Sequence, residues 1–239
     1  MTTSSPPDRS WTSFWDGPNR IYVNDVHLHA HYAKIAKDVA EFVDGKTQLL
    51  LDFGCGEALA APDMAALGLN LVLYDAAAPV RQRLAQRYAN IQAIRVLQQE
   101  EWDGSHPPEW VDLLLVNSVI QYLPREAFEA LLPRFHRLLS KRGRLIIADV
   151  IPPDASIAGD IAALLRPAVR HGFLMAALSG LAATFFSDYR KLRREVGLTS
   201  YRADEMVALL ARHGFVAEKQ WKNIGFHQSR MTFVARVAD

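Results

Sequence analysis

Asp52, Gly54 and Gly56 lie in the run Leu50-Leu51-Asp52-Phe53-Gly54-Cys55-Gly56-Glu57-Ala58-Leu59-Ala60, where an apolar stretch meets two closely spaced glycines and then a helix-forming segment. Lacking a Cβ, such glycines let the chain turn tightly and let a ligand come close to the backbone. The chemistry this points to is the holding of a cofactor at a strand-to-helix turn. A dinucleotide fingerprint, GxGxxG/A, requires a small third residue, and that place is taken here by Leu59. Pyrophosphate binding by this loop is therefore disfavoured, and with it a nicotinamide oxidoreductase.

A second cluster of reactive side chains precedes the loop. His27, His29 and His31 alternate in Asp-Val-His-Leu-His-Ala-His-Tyr, with Trp15 and Tyr22 upstream. On a helix His27 and His31 share a face at i, i+4, as metal-binding pairs do; on a strand all three share one. No HExxH glutamate accompanies them and the chain's single cysteine is Cys55, so no metal site is expected. Histidine titrates near neutral pH, which makes His27 and His31 candidate general bases for an oxygen or nitrogen acceptor. Ordinary hydrogen bonding by surface histidines accounts for the same pattern.

The elements that must position these groups are legible from Gln48 onward, where short apolar runs alternate with helical stretches in the manner of a parallel sheet covered on both faces. Strands are expected at 49–53, 71–74, 94–97, 111–116 and 144–150. Helices are expected at 57–67, 78–88 and 125–139, with Pro124 at a helix start and Pro133 kinking or dividing the third. A further helix over 203–213 leads into two strands, 215–221 and 231–237.

Two segments stand outside this core: a leading region, 11–47, helical from about Asp25, and a mostly helical insertion, 154–198. Both are placed to cover the sheet's C-terminal edge, where open α/β sheets bind ligands. The resulting division is a disordered tail over 1–10, a lid over 11–47, a core over 48–153 and 199–239, and a cap over 154–198.

The whole chain sets further bounds. At 239 residues, half of them hydrophobic, it suits one main α/β domain. A net charge of +1 supplies no global field to gather nucleic acid. One cysteine permits no disulfide and suits a reducing compartment such as the cytoplasm. The polar Pro/Ser-rich start lacks the layout of a secretory signal. Gly172 to Phe186 is the longest apolar stretch and falls short of the roughly 20 residues of a spanning helix. Because Arg190, Lys191, Arg193 and Arg194 follow it, 172–194 is a candidate for peripheral membrane contact. A buried lid helix ending in a solvated basic segment explains it equally.

The loop Asp52-Phe-Gly54-Cys55-Gly56-Glu-Ala58 resembles motif I, D/ExGxGxG, of the class I S-adenosylmethionine-dependent methyltransferases, with alanine for the third glycine. That alanine is tolerated if it already lies in the helix. The order of elements resembles the family from about residue 48 onward, which implies a Rossmann-like doubly wound α/β sheet of seven strands with the last antiparallel. The implied cofactor is S-adenosyl-L-methionine.

By this resemblance Asp75, at the end of Leu-Val-Leu-Tyr-Asp, faces the ribose hydroxyls. Glu100, or alternatively Gln99, faces the adenine amino group, with Glu101 and Trp102 beside it. Asp112-Leu-Leu-Leu-Val-Asn117-Ser118-Val-Ile-Gln121-Tyr122 resembles motif IV, with Asn117 and Ser118 at the cofactor's methionine end. Gln121 and Tyr122 are substrate-side candidates, as are Tyr22 in the lid and His227, with Arg230, between the last two strands. The implied reaction is methyl transfer to O, N or C of an apolar or aromatic small molecule or lipid-like intermediate. A noncatalytic cofactor- or partner-binding module remains the rival. The oligomeric state is not implied.

Overall fold

The structure, a computed structural model, describes residues 25–155 and 197–238. Tyr22, the tail and all but the ends of the insertion, with the 172–194 segment, lie outside the described residues. For His27 only the backbone is described.

The elements are α1 (Asp25–Ala40), β1 (Leu49–Phe53), α2 (Ala61–Ala65), β2 (Asn70–Tyr74), α3 (Ala78–Arg87), β3 (Ile94–Val96), α4 (Gln99–Asp103), β4 (Val111–Asn117), α5 (Arg125–Leu138), β5 (Leu139–Val150), α6 (Ala203–Arg212), β6 (Phe215–Lys219) and β7 (Met231–Val237). A 3₁₀ turn, Ile120–Tyr122, follows β4. The strands form one seven-stranded sheet in the order β3-β2-β1-β4-β5-β7-β6. β1 to β5 are parallel, and β7 runs antiparallel between β5 and β6.

The continuous apolar strands arise because both faces are buried. Leu51, Leu114, Val116, Leu145 and Ile147 point to one face and pack with Phe128, Leu132 and Phe135 of α5 and with Met206 and Leu210 of α6. Their neighbours Leu50, Leu113, Leu115, Ile146 and Ala148 point to the other, against Ile35 and Val39 of α1 and against Val80 and Leu84 of α3. This two-residue alternation fixes register, since a slip of one would exchange the two cores. α1 is further held by Asp38, 1% exposed, which accepts from Lys34 and from the backbone N–H of Gly225 at 2.8 Å. Lys222 also pairs with Asp38.

Three local expectations change. Helix α2 begins at Ala61 rather than at residue 57, so Ala58 lies outside any helix, at φ +45°. Its strained turn is held from afar: Tyr88 Oη donates to the Ala58 carbonyl at 2.8 Å, and the side chain is 3% exposed. Helix α5 continues through Pro133 undivided, because four of its side chains, Phe128, Leu132, Phe135 and Leu138, are fully packed in the core. Strand β5 starts at Leu139, five residues early, joined to β4 with a register shift between Val111 and Leu113. Among the described residues no helix is long and apolar enough to cross a membrane.

Candidate functional site

The strand order reverses between β1 and β4, and the crevice at that point is where doubly wound sheets bind ligands. The loop after β1 opens there. Gly54 and Gly56 have φ of +73° and +56°, and the N–H groups of Gly54 and Cys55 both donate to the Tyr74 carbonyl. Val119, just past β4, closes on the loop so tightly that a Cβ on Gly54 would lie 2.4 Å from Val119 Cγ2. Above Gly56 the nearest atom to such a Cβ is Tyr32 Oη of α1, at 3.7 Å.

Asp75 leaves β2 pointing at this loop. Its Oδ2 accepts from the Gly56 N–H at 3.0 Å and its Oδ1 from the Ala77 N–H at 2.9 Å. Arg81 holds the strand end by donating to the carbonyls of Asp75 and Ala76 at 2.7 and 2.8 Å. Burial raises the Asp75 carboxyl above its ordinary range despite those two backbone donors. Asp52 is in a harsher setting: burial first, then the charge of Asp75, push it up to about 7. The Cys55 thiol is also raised well above its ordinary value by burial, with Asp52 and Asp75 adding to the effect, so it stays protonated.

The raised Asp52 value has a consequence for stability. Native Asp52 retains a proton that the unfolded chain releases, so its contribution is full below about pH 4 and is lost as pH rises to about 7. Asp52→Asn, in the ligand-free protein, should therefore melt above wild type at pH 8 by roughly 5 °C or more, given ~1.4 kcal/mol per pKa unit and about 2–4 °C per kcal/mol. The gap should close toward pH 4. Identical melting curves at pH 8 would remove the charge strain from the account.

At the start of α4 the predicted adenine-side residues separate. Glu101 accepts from the Gln98 N–H at 2.8 Å in a capping box and pairs with Arg95. Gln99 accepts from Tyr74 Oη and donates to Asp103. Trp102 is 5% exposed, stacks on Tyr74 and packs at a tilt against Phe53 under the Arg134 guanidinium, so its ring belongs to the core. Glu100 is exposed.

The end of β4 carries Asn117, whose buried Oδ1 has no hydrogen-bond partner among the described residues, and Ser118 at φ +58°. Ser118 Oγ donates to Asp149 Oδ2 at 2.8 Å. Asp149 itself has φ +61°, and its N–H donates to Asn223 Oδ1 at 3.0 Å. Of the four non-glycine residues with positive φ among the described residues, Ala58, Ser118 and Asp149 lie at this one edge. Such strain persists where packing and hydrogen bonds enforce it, and it concentrates at functional sites. Asp149 and Tyr32 were missed in the sequence; an acidic residue closing the apolar run Leu-Ile-Ile-Ala is the signal that was there to read.

On the lid side, His31 packs against Tyr32 and Phe226, with ring centroids 5.6 and 6.4 Å apart. With the Gly225 N–H donating to Asp38, α1 and the β6–β7 connection meet as a pair, and within that connection the His227 carbonyl accepts from Asn223 Nδ2. Gln121 is 4% exposed and Tyr122 half-buried. The two ends of the insertion return to the same edge: Thr199 N–H donates to the Gln121 carbonyl and Tyr201 N–H to that of Ile151, both at 2.9 Å. A separate groove of about 590 Å³ lies between Pro152, Arg202, Lys219 and Arg230 and is lined by none of the loop residues. Among the described residues no cluster of His, Cys, Asp or Glu is arranged to hold a metal ion.

Residues 51–147 match the family described as methyltransferase domain. No curated protein sequence matches the chain. Among solved structures the chain is similar to the 1,6-didemethyltoxoflavin-N1-methyltransferase of Burkholderia thailandensis, solved with 1,6-didemethyltoxoflavin and S-adenosylhomocysteine: 19% identity, TM-score 0.57, 90% of this chain and 82% of that one. It also resembles mitomycin 7-O-methyltransferase, at 15% identity and TM-score 0.59, over 86% of this chain and 54% of that chain. Human N-acetylserotonin methyltransferase, in complex with S-adenosylmethionine, follows at 13% identity and TM-score 0.63, over 98% and 61%. The chain thus spans little more than half the length of the last two, and at these identities the likeness is one of fold. The glycine loop, Asp75 and the end of β4 all lie inside or beside residues 51–147, so the segment that matches a methyltransferase domain is the one that builds this edge of the sheet.

Proposed function

We propose that the protein transfers a methyl group from S-adenosylmethionine to an O, N or C atom of an apolar or aromatic small molecule. The observation that carries this is Asp75, a half-buried carboxylate joined by a hydrogen bond to Gly56 of a left-handed glycine loop at the sheet's switch point. Its backbone donors occupy two of the roughly four acceptor positions of a carboxylate, which leaves two for a ribose diol. Asp52, Cys55, Glu100 and Ser118 would line the same cradle, and the Asn117 Oδ1, without a partner among the described residues, suits a donor such as the ammonium of a methionine end. The cofactor supplies an electrophilic methyl on a sulfonium. The chain's own residues then have to orient the acceptor in line and exclude water.

α1 and the 156–196 segment are the proposed lid and cap, the latter entering and leaving beside Gln121 and Ile151. Tyr22, Tyr122 and His227 are proposed to face the acceptor. The test is calorimetry with S-adenosylhomocysteine, followed by transfer of labelled methyl from S-adenosylmethionine to a panel of phenols and aromatic heterocycles. Absence of S-adenosylhomocysteine binding sinks the proposal; binding without transfer to any acceptor favours the noncatalytic module.

His27 and His31 are the proposed general bases. His31→Ala and His27→Ala should each lower kcat by about a hundredfold or more, within the usual range for general acid–base catalysis of about 10²–10⁴, with S-adenosylhomocysteine affinity held within twofold. Unchanged kcat in both variants removes them from the mechanism.

A further inference from the structure

We infer that the side-chain amide of Gln121 reads a hydrogen-bond donor on the methyl acceptor, so that the acceptor class is one presenting an O–H or N–H beside the reacting atom. This rests on the proposed methyl-transfer reading. Gln121 sits in the turn after β4, is 4% exposed, and its backbone is fixed through its carbonyl to Thr199. Its Nε2 lies 3.5 Å from Asp149 Oδ2, which settles the orientation of the amide, since the reverse would set a carbonyl against a carboxylate. Among the described residues the Oε1 is then left buried with no hydrogen-bond partner.

A buried carbonyl left without a donor is costly, and native proteins retain few such groups. Here the cost is maintained by further strain. Asp149 holds the amide from a left-handed backbone, and Ser118, also left-handed, donates to the same Asp149 oxygen at 2.8 Å. Asn223 fixes the Asp149 N–H in turn. Three side chains, Asp149, Ser118 and Asn223, thus hold one acceptor oxygen where the two ends of the insertion meet the sheet edge. A site that hydrogen-bonds a substrate donor rejects an analogue lacking it far more strongly than an apolar pocket rejects a change of size.

The experiment is a saturation-transfer NMR titration of protein saturated with S-adenosylhomocysteine. The probes are 1-naphthol against 1-methoxynaphthalene, and 4-quinolone against N-methyl-4-quinolone. In wild type at least one donor-bearing member should bind tenfold or more tightly than its methylated partner. Gln121→Met, which keeps length and removes both polar atoms, should bring that ratio below twofold while leaving S-adenosylhomocysteine affinity within twofold. Gln121→Asn, which withdraws the carbonyl but stays polar, should do the same, and serves if the methionine variant does not fold. The inference is overturned if neither pair shows a preference in wild type, or if the preference survives in the variants. Wild type that fails to bind S-adenosylhomocysteine overturns the methyltransferase reading itself, and this inference with it.

Discussion

Asp75→Ala should weaken S-adenosylhomocysteine binding by a hundredfold or more in calorimetry while leaving the fold in place. The wild-type carboxylate is preorganised: the N–H groups of Gly56 and Ala77 each hold one oxygen, and Arg81 secures the carbonyl of the same residue. The ligand's diol therefore meets an acceptor that needs no ordering. Two charge-assisted hydrogen bonds at roughly 1.5–3 kcal/mol each correspond to more than two decades in Kd. Asp75→Asn retains the shape and one acceptor oxygen, and should lose about tenfold, the neutral bonds being roughly half as strong. A change below threefold in the alanine variant would show that the ribose does not lie at Asp75.

Gly54→Ala should lower the melting temperature by roughly 5–15 °C and abolish S-adenosylhomocysteine binding, whereas Gly56→Ala should cost only a few degrees. Both glycines are left-handed, so each alanine carries a torsional cost of about 1–2 kcal/mol. Only at Gly54 does the new methyl run into a neighbour, Val119 Cγ2 at 2.4 Å, with Val119 Cβ itself at 3.5 Å. A β-branched side chain has few rotamers with which to yield, so an overpacking cost of about 1–3 kcal/mol is added. The temperature range follows from about 2–4 °C per kcal/mol for a chain of this size. The steric part is separable: Val119→Ala placed on Gly54→Ala should recover part of the loss, and the torsional part should persist. Equal melting temperatures for the two single variants would refute the clash.

The aromatic residues around α4 show how far local reading reaches. The resemblance set Glu101 beside the adenine, but whether its carboxylate faced a ligand or the chain depended on Gln98 and Arg95 adopting one capping geometry. Trp102 was read beside the adenine site, and its ring lies in the core. Its burial is decided by Tyr74 and Phe53 on strands β2 and β1 and by Arg134 on α5, none of them adjacent in sequence. The alanine at position 58 is a similar case. Nothing within the loop demands its left-handed turn, and the Tyr88 hydroxyl that stabilises it comes from the end of α3.

What the amino-acid sequence determined by itself is everything governed by near neighbours. The two-residue alternation of Leu113 to Val116 builds a strand buried on both faces, Gly54 and Gly56 permit a left-handed turn, and Asp75 follows at the end of the next strand. These depend on sterics and burial within a few residues, so spacing suffices to read them. The acceptor end was decided only by tertiary structure. Asp149 is an unremarked strand-ending residue until parallel pairing sets Asn117 opposite Ala148, and so brings Ser118 and Gln121 to its carboxylate across about 30 positions of chain. Likewise Tyr32 reaches Gly56 only because α1 packs on the face formed by Leu50, Leu113 and Ile146. Strand order arises from burying two apolar faces at once, a condition on the whole chain that no local spacing carries.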